Sequence, residues 1–454
     1  MRALTIIILT IVLFFLLVTS SIMGIPILYP LLVGIFLFSV EAVRKGHRPK
    51  DVVKMLLSGA QKTIPVIVVF IIIGMLIGLW MSSGTLSWLV YYGLKIIAPN
   101  LFLFFCFLLT CLVSIPLGTS FGTVGTIGMV LLIIAKSGNV PIAPVAGAIL
   151  SGAYFGDRNS PTSSSALLVS TMTGTDLYGN LARMLKTGMP AFFVACLLFL
   201  AISPVYPLAA VDQTFVASLP EYFRISIWNL APLAVLIVFI FLRVKIRYAM
   251  LFSCICAFFV ALFVQRFPLG TIGQAILTGF QLSGAGRVPQ VIRGGGITFM
   301  FNAMTIVIAS AAFSGLLARS GLIRHYETAI AAMTRKIGAY PSSIVTTLFT
   351  ASLGCTQTLA IIMNTHLLSK PYAELGKTKE DLALDIEDTV VVLAALIPWN
   401  VAGAIPLKML DAPLSALLFA FFMWTLPILR LANLGLRRRR QTRRPGSAAG
   451  NAEL

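Results

Sequence analysis

Charge is scarce in this sequence. Of its 454 residues, 11% are Asp, Glu, Lys or Arg, and only 15 of those are acidic; a soluble globular domain carries about 25% charged residues. Histidine is rarer still. His47, His325 and His366 are too scattered to form a ligand cluster. The six cysteines (Cys106, Cys111, Cys196, Cys254, Cys256 and Cys355) all fall in apolar stretches and form no CxxC pair. Neither a disulfide framework nor a zinc site is indicated. No HExxH string appears and the histidines and cysteines do not cluster, so an enzyme is not expected.

What is present is apolar length. Hydrophobic residues make up 58% of the chain, and the mean hydropathy is +0.96. The runs Leu4 to Val18, Ile64 to Leu79 and Leu101 to Val113 contain no charge. About 20 apolar residues cross a bilayer as a helix, and such stretches number roughly 11 to 13 here. The expected fold is therefore an all-α polytopic membrane protein. The first run resembles a signal peptide in its flanks, but Ile25 to Val40 follows at once, so an uncleaved first span is expected.

The net charge of +19 lies between the apolar runs: Arg44, Lys45, Arg48, Lys50 and Lys54, then Arg183 and Lys186, then Arg243, Lys245 and Arg247, then Arg319, Arg324, Arg335 and Lys336. Arg437 to Arg440, Arg443 and Arg444 crowd the tail. That distribution is topogenic, with the tail available to anionic lipid. Intervening spans keep these charges from forming one nucleic-acid-binding face. Both termini are expected in the cytoplasm, and the loop from Pro207 to Glu221, which has Asp212 but no Lys or Arg, outside. Arg266, Arg287 and Arg293 disturb this pattern. The glycines around them point to a folded-in segment rather than a simple loop.

Two pairs of segments resemble one another. Ile77 to Ser87 (IGLWMSSGTLS) parallels Phe313 to Ile323 (FSGLLARSGLI), and Pro116-Leu-Gly-Thr-Ser120 parallels Ser352-Leu-Gly-Cys-Thr356. The connector after the first copy, 82–100, has Lys95 alone, whereas 319–341 has four basic residues. Similar sequence with opposite charge bias implies two copies inserted in opposite directions, an inverted-repeat transporter with discontinuous helices. Convergent small-residue packing is the alternative.

Polar backbone survives in a bilayer only where protein or water satisfies it. Four segments need such an explanation. Gly118 to Gly128 offers Thr119, Ser120, Thr123 and Thr126 as oxygen ligands for a hard cation, or as small residues for helix packing. Ser151 to Ser165 carries Asp157 beside a Pro-containing break; it is read as a cation or proton site, or as an ion pair with Arg158. Gly354 to Thr358 is the second-copy counterpart of the first segment. Asp385-Ile-Glu-Asp-Thr389 precedes a break at Ile397-Pro-Trp-Asn400. Asp385 reads as an ordinary helix-start acid near water, while Asp388 should lie deeper.

Together, Gly156-Asp-Arg-x-Ser-Pro-x-Ser163, Gly174-Thr-Asp176 with Arg183-Met-Leu185, the Gly118-Thr-Ser-x-Gly-Thr-x-Gly-Thr-Ile-Gly128 run, Glu387-Asp-Thr389 and Ile397-Pro-Trp-Asn400 resemble the NhaC-type sodium/proton antiporter family. The matches keep their order across about residues 60 to 410. The resemblance implies Na+/H+ exchange by secondary active transport, with no cofactor beyond the transported ions. It implies ion-path roles for Asp157, Asp388, Ser160, Thr119 and Ser120; the polar segments add Thr123, Glu387, Thr389 and Asn400 as candidates, with Asp157, Thr119 and Ser120 the candidate sodium ligands. It also implies a multi-pass protein of the bacterial plasma membrane, in contact with lipid. A homo-oligomer is left open.

One departure concerns the substrate. The family pattern has Ser-Asp-Thr-Thr where this chain has Ser163-Ser-Ser-Ala166, so Ser164 stands in place of an acid. An ion-coupled carrier of a small organic anion or amino acid therefore stays as the second reading. The organisation expected is an N-terminal hairpin (1–55), a first repeat (56–205), connecting helices (206–270), a second repeat (271–411), a C-terminal helix (412–436) and a basic tail (437–454).

Overall fold

The computed structural model describes residues 2–96, 98–208, 213–242, 244–284, 286–322 and 326–442. Asp212, Arg243, Arg324, His325, Arg443 and Arg444 lie outside the described residues. The described chain is a series of helices joined by short turns. A helix satisfies its own backbone polar groups, which is the condition for crossing lipid.

Among the described residues, seven helices are long and apolar enough to span: Thr5–Met23, Ile64–Ser82, Pro99–Leu117, Ser120–Ser137, Leu177–Val205, Ile246–Val264 and Ile297–Arg319. The bent pair Lys379–Leu396 and Val401–Met409, angled by 50°, raises this to eight. The sequence count of 11 to 13 is larger because it includes apolar stretches that form shorter helices or helices interrupted by polar residues. Leu28–Arg44, for example, has 17 residues.

The interruptions follow a strict spacing. Gly84 and Gly321, Gly118 and Cys355, and Ser163 and Asn400 are each 237 positions apart (321 less 84, 355 less 118, 400 less 163). Helix Phe102–Leu117 maps in this way onto Ala339–Gly354, and Ile142–Asn159 onto Lys379–Leu396. The backbone agrees. Gly118 and Cys355 are both left-handed, with φ of 61° and 53°. Thr119 and Thr356 after them are extended, and Ser163 and Asn400 both cap the next helix with their side chains.

This corrects the register read from sequence by one residue. Matching Gly118 with Gly354 was natural by residue type, but the left-handed turn falls on Cys355, so Gly118 corresponds to Cys355 and Thr119 to Thr356.

The two copies interlock. Gly59, from Pro49–Gln61, packs so closely on Ile297–Arg319 that an added Cβ would lie 2.1 Å from the Ala311 carbonyl oxygen. Gly78, from Ile64–Ser82, meets the Ala275 carbonyl of Leu269–Leu277 in the same way, at 2.0 Å. The glycine-rich stretch after Leu277 is folded in. Phe280 pairs with Gly294 through backbone hydrogen bonds, and the Gly296 amide donates to the Gly74 carbonyl at 2.8 Å. Val288 and Ile292 are buried there.

Candidate functional site

Each copy contributes two helix breaks that pack against one another. In the first, Gly118 lies so near the break at 160–163 that a Cβ would sit 2.1 Å from the Thr162 hydroxyl oxygen and 2.8 Å from that of Ser160. In the second, the Val401 amide donates to the Cys355 carbonyl at 2.9 Å, and the Asn400 side-chain amide to the Ala351 carbonyl at 2.8 Å. These contacts satisfy backbone groups that the interrupted helices leave unpaired. The copies meet where the Tyr154 hydroxyl donates to the Ala402 carbonyl at 2.7 Å.

Asp157 stands in the last turn of Ile142–Asn159 and is buried. Small residues bring it there: a Cβ on Gly156 would collide with Ser114, and one on Gly152 with Thr110. The Ser163 hydroxyl donates to its Oδ1 at 3.0 Å. The hydroxyl and backbone amide of Ser120, at the start of Ser120–Ser137, also face the carboxylate. Thr119 precedes them with its methyl turned toward Gly122. The Thr123 hydroxyl donates to the Thr119 carbonyl at 2.8 Å, and buried Ser160 shares a hydrogen bond with Thr162 at 2.8 Å.

The acids of Lys379–Leu396 separate into two kinds. Asp388 accepts from two guanidiniums, Arg158 at Oδ1 and Arg430 at Oδ2, with the Thr187 hydroxyl adding a bond at 3.1 Å. Arg430 also pairs with Asp385, which takes the Tyr372 hydroxyl at 2.7 Å. Asp385 is thus buried and paired, not the water-facing acid expected. Arg158 pairs with Asp388 rather than with its chain neighbour Asp157.

Glu387 is the other kind. It is 1% exposed, and its Oε2 has no hydrogen-bond partner among the described residues. It lies within electrostatic reach of both Asp157 and Arg158.

Thr389 faces elsewhere, sharing hydrogen bonds with the Ser343 and Thr347 hydroxyls at 3.0 Å each. Asn400 caps Val401–Met409. Ser164 is exposed at the head of Ser164–Thr173, while its neighbours Ser163 and Ser165 are buried. The substitution of serine for an acid there removes nothing from the buried cluster. Sequence reasoning missed Arg430. Its signal was a lone arginine within the apolar run Phe421 to Leu436, and charge at membrane depth demands a partner. Among the described residues, no three His, Cys, Asp or Glu side chains converge as a metal site. A cation here would be met by a few carboxylate and hydroxyl oxygens.

Helices broken in pairs around buried acids define a polytopic membrane transporter. The chain belongs to the Na+/H+ antiporter family, whose profile matches residues 1–176 and 152–433. It is 28% identical to an uncharacterized Na+/H+ antiporter of Haemophilus influenzae, over 84% of each chain. It is also 28% identical to the malate-2H+/Na+-lactate antiporter of Bacillus subtilis, over 88% of this chain and 87% of that one. The Na+/H+ antiporter NhaC of Alkalihalophilus pseudofirmus is 28% identical over 84% of each.

Proposed function

We propose that this protein exchanges Na+ for H+ at a site formed by Asp157 and Glu387, lined by Ser120, Ser163 and the break at Thr119. One observation carries the reading. Of the four acids buried in this region, Asp385 and Asp388 are held by arginines, whereas Asp157 and Glu387 have no ion-pair partner among the described residues. A buried carboxylate without a fixed counter-charge is costly. It is relieved by binding a proton or a small cation, and the two then compete for the same oxygens. Competition of this kind is what an exchanger needs.

The organic-anion reading draws on the Bacillus subtilis relative. Against it, the guanidiniums of Arg158 and Arg430 are already engaged by aspartates. A substrate carboxylate would need a cation that neither of them can supply without breaking a buried pair. Proteoliposomes test both readings: an imposed Na+ gradient should drive a pH change, while a panel of small organic anions should not be carried. Uptake of an anion with no sodium-driven pH change would reverse the order of the two.

We further read the two copies as oppositely oriented, with both termini cytoplasmic. The turn 137–141 has no charge and is preceded by Lys136, whereas its counterpart 374–378 has Glu374 and Lys377 and is followed by Lys379. Unequal charge on equivalent turns supports opposite sides of a bilayer. Phe15, Ile22, Phe36 and Phe241 are largely exposed apolar side chains, which suits contact with lipid.

A further inference from the structure

Asp388 sits one residue from Glu387, yet its contacts suit a different task. We propose that Asp388, backed by Arg430, is a positioning residue that holds the Arg158 guanidinium away from Asp157 and Glu387, and is not itself a carrier of the transported ion. The proposal rests on the assignment of those two acids as the exchange site.

Arg158 follows Asp157 in the chain and its side chain is fully buried. A guanidinium free to choose would pair with the nearest unpartnered carboxylate. Glu387 is within its electrostatic reach, and the Nε of Arg158 is without a hydrogen-bond partner among the described residues. Such a pair would neutralise Glu387 permanently. An exchange site needs neutralisation that is reversible, by H+ on one side of the membrane and Na+ on the other.

The surrounding bonds hold the guanidinium elsewhere. Asp388 takes Nη2, the Met184 carbonyl accepts from Nη1 at 2.9 Å, and the Thr187 hydroxyl accepts from Nη2 at 2.8 Å. Arg430 occupies the second oxygen of Asp388 and also grips Asp385, so Asp388 cannot turn toward the exchange site. One carboxylate thus serves two arginines, one oxygen each, and presents no free oxygen to an ion.

The test is initial-rate Na+/H+ exchange in proteoliposomes across a range of sodium concentrations, with folding checked by size exclusion and thermal melting. Asp388→Asn should raise the sodium KM at least tenfold, because Arg158 then competes for Glu387. Arg158→Met alone should keep exchange with an unchanged or lower KM, since Asp388 retains Arg430. The double variant Arg158→Met/Asp388→Asn should recover exchange that Asp388→Asn lost. A folded double variant as inactive as Asp388→Asn would overturn the proposal, because Asp388 would then be needed for itself. Should variants of Asp388 fail to fold, Arg158→Met decides: loss of exchange in that folded protein also overturns it. Asp157→Asn and Glu387→Gln in the same assay isolate the underlying assignment. If both exchange like the unmodified protein, the site is wrong whatever Asp388 does.

Discussion

Arg158 is the chain neighbour of Asp157 but gives its guanidinium to Asp388, 230 positions away. That choice separates the buried acids into a neutralised pair and an available pair.

Asp157→Asn keeps the side chain's size but removes its charge. Exchange should fall to background while the protein inserts and melts as before. Asp157→Glu should retain partial activity, because the carboxylate persists in altered geometry. Unmodified flux in folded Asp157→Asn protein would remove Asp157 from the ion path.

Glu387→Gln should abolish exchange and at the same time stabilise the fold. Removing an unpartnered buried charge relieves a desolvation cost, and a gain of about 1 kcal/mol or more is expected in thermal melting. A lower melting temperature would show that Glu387 has a partner in the folded state.

Asp385→Asn should weaken the fold markedly, although from the sequence alone the residue looked peripheral. It leaves Arg430 with one buried partner and disturbs Tyr372, and breaking a buried pair costs about 3–5 kcal/mol. Melting in detergent would read this directly. Ser164→Asp, by contrast, should change the sodium KM by no more than about twofold, since exposed charges couple weakly.

The paired left-handed turns respond unequally to substitution. Gly118→Ala meets both a φ of 61° and a Cβ contact of 2.1 Å with Thr162, so the first pair of breaks must separate and exchange should be lost. Cys355→Gly relieves a strain of about 1 kcal/mol at φ 53° but removes a fully buried side chain at a similar cost, so the melting temperature should change little and exchange should persist.

Orientation can be read by labelling single cysteines placed at Pro141 and Lys377, both in exposed turns. Impermeant reagent should reach them from opposite sides of the membrane. Labelling from one side would mean the copies run parallel.

Much was legible in the sequence because it depends on local composition. Apolar runs without charge specify membrane helices wherever they occur, and glycine, proline and hydroxyl residues within them mark breaks regardless of neighbours. The four breaks near Gly118, Ser160, Cys355 and Ile397 follow from that logic, as does the notice given to Asp157. The repeat was visible too, but one residue out of register, since residue identity drew Gly118 toward Gly354 while backbone handedness chose Cys355. What the sequence could not decide was which buried charges cancel. Asp157 and Arg158 are adjacent, as are Glu387 and Asp388, and adjacency suggests pairings that the fold rejects. Neighbours on a helix point about 100° apart, so each charge finds its partner on another helix. Only the packing of Leu177–Ile202 and Phe421–Thr442 around Lys379–Leu396 brought Arg158 and Arg430 to Asp388. The same packing left Glu387 within electrostatic reach of Asp157 and with no ion-pair partner among the described residues.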